Sequence, residues 1–162
     1  MNSTITNLKQ ERSPLGAIII AGLIVGTLDI LAASIQTLIN GRNPVGMLKF
    51  VASGVFGPEI MTGSDSYALL GLLFHFCIAM GWTGLFFFLY ARMSWMRKNK
   101  FLTGVIYGLF VQIMMSQIVL KLANTPPIPF RLKGQIIAAG ILIVAIGIPL
   151  AFLADRHYRS KT

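Results

Sequence analysis

Two titratable side chains stand inside runs that otherwise read as lipid-facing. Asp29 lies in GTLDILAAS, residues 26–34, and His75 lies in LLGLLFHF, residues 69–76. A carboxylate at mid-bilayer is costly and as a rule functional. Beside an imidazole, which titrates near neutral pH, it would hold or pass a proton, and the two would titrate as one unit. The plainer reading is a buried Asp–His hydrogen bond that holds two helices together, a bond worth about 0.6 kcal/mol on average in membranes. Gln112 and Ser116 reach a similar level from a third run and complete the expected polar intramembrane site.

A second group of candidates falls in GRNPVGMLKFVASGVFGPEIMTGSDS, residues 41–66. Arg42, Lys49 and Glu59 are expected to line a vestibule, and Ser64 or Asp65 to cap the helix that follows. Ser53, His75 and Asp29 can be set out on paper as nucleophile, base and orienting acid. No GxSxG elbow or HExxH pair accompanies them, and no enzyme is expected. The single cysteine, Cys77, makes no internal disulfide and reads as a small packing residue. No Cys/His cluster suggests a metal, and no cofactor is expected.

These residues need elements to position them, and composition says which. The chain has 162 residues, of which 55% are hydrophobic and 12% charged, and its mean hydropathy is +0.73. That is about half the charge of an ordinary soluble domain. The net charge of +9 forms no continuous basic face with interleaved aromatics, which argues against a nucleic-acid partner. The expected partners are the lipid bilayer and either further copies of the chain or a larger membrane complex.

A membrane helix needs about 20 apolar residues. Four stretches qualify, near residues 15–39, 67–90, 101–122 and 134–154. The expected fold is therefore an all-α integral membrane protein, one four-helix domain over 15–155 between tails 1–14 and 156–162. Lys9, Arg12 and Leu31-Ala32-Ala33 mimic a signal peptide, but the run is too long for one and carries Asp29. Nine Lys and Arg residues fall in the two tails and the 92–100 loop, against five on the other side. Both termini are accordingly expected in the cytoplasm. Tyr90 and Trp95 flank the short loop, as interfacial anchors would.

In the first outer loop, Asn43 and Pro44 start a helix and Gly57 and Pro58 stop it. The piece at 44–57 is too short to span and should be re-entrant or lie on the surface. ANTPPIPFRLK, with Pro126, Pro127 and Pro129, should be a stiff strap or a plain connector.

Faces of helices repeat every three or four residues. Gly22, Gly26, Asp29, Ala33, Gln36 and Asn40 form one stripe; Gly71, His75, Ala79 and Trp82 a second; Gly104, Gly108, Gln112 and Ser116 a third. GLIVG and GVIYG place Gly22, Gly26, Gly104 and Gly108 as helix-packing positions. Pro149 is expected to kink the last span.

GTLDILAAS, VASGVFGPEIMTG, LLGLLFHF, GVIYGLFVQIMM and GIPLAF together resemble the YagU-like family of small bacterial inner-membrane proteins, over about residues 16–155. The resemblance implies a four-helix inner-membrane protein linked to acid resistance. It points to Asp29, Ser53, Gly54, Gly57 and His75. The family pattern also implies a histidine near the start of the last span. This sequence has Gln135 there, which weakens any relay that needs two histidines.

Overall fold

Apolar runs in lipid must close their backbone hydrogen bonds internally, and helices do so within one segment. The computed structural model describes residues 14–127, 129 and 131–159, and all the regular elements among them are helical. The principal helices are α1 (Pro14–Ile39), the shorter α2 (Pro44–Phe56), α3 (Tyr67–Arg92), α4 (Lys100–Leu122) and α5 (Leu132–Arg159). All but α2 are long and apolar enough to cross a membrane, so the chain is an all-α, multi-pass membrane protein. The tail with Lys9 and Arg12, and Lys161 beyond α5, lie outside the described residues. Arg156 and Arg159, expected in a tail, belong to the last turns of α5, where cations oppose the negative end of the helix dipole.

Local chemistry explains α2. The Asn43 carboxamide accepts the N–H of Val45 at 2.9 Å, with Pro44 in the first turn. Gly57 ends the helix at φ 92°, and Gly41 turns the chain before it at φ 68°. Between these turns α2 is wedged into one end of the bundle. The missing side chain of Gly71 lets the Leu48 backbone lie directly on α3. Gly54 sits against Ala123 and Thr125, and its carbonyl accepts the Asn124 N–H at 3.2 Å. Ala52 and Ser53 are fully buried, while Val55 and Phe56 are exposed. One face of α2 is thus built into the bundle and the other is open.

Glycines set the other crossings too. Gly22 and Gly26 face Met80, Phe76 and Ala79 of α3. Gly104 and Gly108 meet the backbone of α5 at Ile143, Gly147 and Ile148. Gly147 is the reciprocal glycine of that crossing, and its missing side chain faces Gly104 and Gly108. Two wide π-turns interrupt the later helices, at Met115–Val119 in α4 and Ile143–Gly147 in α5. The second lies just before Pro149, whose ring would clash with a regular turn and which has no N–H to give.

The hydrophobic core gathers at the end away from α2, around Phe86, Phe87, Tyr90, Tyr107, Leu150 and Ala154. Tyr90 is fully buried there, so it is a core residue and not the interfacial anchor that its place beside the loop suggested. Trp95 is exposed. Cys77 is exposed on α3 rather than packed.

Candidate functional site: a cleft shared by five helices

Asp29 and His75 open onto one cleft of about 90 Å³. Each of the five helices contributes to its lining. Asp29 comes from α1, Val51 from α2, and His75, Ile78, Ala79 and Trp82 from α3. Val111 and Met115 come from α4, and Leu142 and Ile146 from α5. Met115 begins one π-turn and Ile146 lies in the other, so both wide turns border the cleft. Its floor is the core itself, since Val111 and Ile146 are also core residues.

The positions of the two titratable groups follow from helical spacing. Gly26 admits α3 close to α1, and Asp29 is the next residue on that stripe. The proximity of α1 and α3 lets His75 Nε2 reach the carbonyl oxygen of Gly26 at 2.8 Å. A carbonyl only accepts, so Nε2 carries the proton. Asp29 and His75 are within electrostatic reach of each other. Among the described residues they form no hydrogen bond or ion pair with each other, and the Asp29 carboxylate accepts no hydrogen bond from protein. The expected Asp–His bond is thus replaced by a bond from His75 to the α1 backbone.

Gln112 and Ser116 stand apart from this cleft. Gln112 donates to the Gln135 carboxamide oxygen at 2.7 Å, tying α4 to α5, and Ser116 turns back to the Ile113 carbonyl at 3.4 Å. The cause is helical phase. Steps of four residues drift about 40° each, so the row 104, 108, 112, 116 winds off the face. Gly104, Gly108, Val111 and Met115 keep it.

The loop candidates have other tasks. Lys49 is 6% exposed; its ammonium donates to the Gly63 carbonyl at 2.6 Å and to Asp65 at 3.4 Å. It pins α2 to the loop before α3 rather than lining a vestibule, and it occupies Asp65, one of the two expected caps. Arg42 and Glu59 are exposed, and neither borders the cleft. Gly57 is the turn that ends α2, with the Glu59 carboxylate beside the place a side chain would take. Ser53 Oγ donates to the Phe50 carbonyl at 2.7 Å, so serine, histidine and aspartate are not strung into a relay. Lys49→Met should lower stability by about 1–2 kcal/mol, because the bond from the charged amine is lost. Asp65→Asn should cost under about 0.5 kcal/mol, because that carboxylate is 82% exposed. Unfolding titrations in mixed detergent micelles measure both.

A comparison with protein-family models, curated proteins and solved structures gives no match for the chain.

At the opposite end lies a polar network that sequence reasoning missed. Asp155 of α5 accepts from Tyr90 of α3 at 3.1 Å and from Lys100 of α4 at 3.0 Å. Arg159 joins it at 3.1 Å. In the sequence these groups look like separate charges at helix ends. Only the packing of three helices turns Asp155 inward.

Proposed function

We propose that this chain is a small multi-pass protein of the bacterial inner membrane, with both termini in the cytoplasm. Its cleft is a proton-linked site serving transport or acid stress. One observation carries the reading: the Asp29 carboxylate opens on the cleft and is spent on no helix–helix hydrogen bond among the described residues. A carboxylate kept for packing would be bonded across a helix crossing, since an unmet charge in an apolar interior is costly. The His75 imidazole, held through Nε2 by the Gly26 carbonyl, lines the same cleft. The excess of Lys and Arg in the tails and the 92–100 loop supports the orientation, which turns the cleft and α2 outward. The resemblance to the YagU-like family supports the link to acid. The reading assigns no catalysis.

Proteoliposomes under a pH gradient test it. Wild type should carry a proton or ion flux that Asp29→Asn abolishes. Equal flux in both proteins, with the variant normally folded, would overturn the reading.

A second reading, a structural or accessory subunit acting through helix packing, is favoured by the aromatic core beneath the cleft. Phe86 and Tyr107 meet edge to face with ring centroids 4.7 Å apart, and the Tyr107 hydroxyl is bonded to the Trp82 carbonyl at 2.6 Å. Among the described residues, no charged or imidazole side chain other than Asp29 and His75 lines the cleft. A defined oligomer in mild detergent, with Asp29 dispensable, would support this alternative. Gly104→Leu does not test it, because Gly104 is used inside the chain against α5.

A further inference from the structure

The cleft has an unusual mixture of walls. One carboxylate, Asp29, stands among aliphatic side chains, the Met115 thioether, the indole of Trp82 and the imidazole of His75, whose Nε2 is taken by the Gly26 carbonyl. An apolar pocket with a single unbonded anion selects for a particular chemistry. A small hard metal ion asks for about six oxygen ligands. No other lining side chain offers oxygen, and no group of three metal-ligating side chains occurs among the described residues. An organic ammonium differs in both respects. It is weakly hydrated, one carboxylate balances its charge, and its alkyl body gains from apolar and aromatic surface. A cation over an aromatic face is attracted by the ring quadrupole, most strongly where water is excluded.

Size narrows the class. A cleft of about 90 Å³, with Val51 of α2 in its wall, has room for a body of only a few heavy atoms. We infer that the cleft binds a small alkylammonium cation, of the size of methylammonium to trimethylammonium. Its charge lies on Asp29 and its methyl groups lie against Trp82, Val111 and Ile146. The inference rests on the preceding reading, in which Asp29 is a working charge, and it names the solute class for that site.

The chain has two tryptophans, so Trp95→Phe leaves Trp82 as the only indole reporter. The full-length protein in nanodiscs is titrated with trimethylammonium chloride, against sodium chloride of equal ionic strength and against tetrapropylammonium chloride. Trp82 emission should change saturably with trimethylammonium alone. Asp29→Asn should weaken that response at least tenfold. Val51→Phe, which fills the cleft and leaves the carboxylate in place, should weaken it as much and covers the case in which the Asp29 variant misfolds. No saturable response, an equal response to tetrapropylammonium, or an unchanged affinity in a folded variant would overturn the inference. The failures are separable. Absent binding with Asp29-dependent proton flux intact removes the ammonium ligand and leaves the proton-linked site. Absence of both removes the two together.

Discussion

Gly71→Ala should detach α2 from the bundle. A methyl group at Gly71 would fall on the backbone carbonyl of Leu48. Backbone on the other side of a contact cannot rotate away as a side chain can. The helices must part, and overpacking of this kind costs about 3 kcal/mol. Contacts of α1 with α3, and of α4 with α5, do not pass through this point, so the remaining helices should still assemble. Ser53 gives the readout, because it is fully buried between α2 and its neighbours. In a Cys77→Ser background, Ser53→Cys should react with a maleimide more than tenfold faster once Gly71→Ala is added. Gly81→Ala is the control. A methyl there meets nothing within 4 Å, and it should stabilise the helix by about 0.5–1 kcal/mol. An unchanged labelling rate in the Gly71 variant would show that the crossing tolerates a side chain.

Asp155→Ala should lower stability by about 2 kcal/mol, the range for hydrogen bonds to charged groups. The substitution strips three partners at once. Tyr90 loses the acceptor of its buried hydroxyl, and Lys100 and Arg159 lose their shared counter-charge. The loss stays below that of a fully buried pair, because Lys100 is 28% and Arg159 73% exposed. Asp155→Asn should recover about half, since a carboxamide oxygen still accepts from Tyr90. Tyr90→Phe combined with Asp155→Ala should then be less than additive. Unfolding in mixed micelles, followed by circular dichroism, measures the cycle. Additive losses would mean that the hydroxyl and the carboxylate act independently.

The parts legible in sequence are those governed by one segment at a time. Apolar length marked the spans, and Asn43-Pro44 and Gly57 marked the ends of α2. Asp29 followed Gly26 on one stripe and therefore faced the crossing. The parts that stayed hidden depend on two segments at once. Gly147 has no GxxxG partner in its own helix, and it matters only because Gly104 and Gly108 lie opposite. Lys49 was expected to line a vestibule, yet its long side chain is buried and carries the ammonium to a carbonyl in the next loop. Gln112 was placed by counting in fours, which accumulates an error that alternating steps of four and three, through Gly104, Gly108, Val111 and Met115, avoid.

The wide turn at Met115–Val119 bears on how the gene can vary in length. A π-turn holds one residue more than the α-turn it replaces. Loss of one codon within it would restore a regular helix and leave Gly104 and Gly108 on one side, and Leu120 to Leu122 on the other, facing as they do now. The same loss between Gly104 and Gly108 would turn every later residue of α4 by about 100° and carry Val111 and Met115 off the cleft. Natural variants of this chain should therefore differ by single-residue gaps at the turn and keep a fixed count below it.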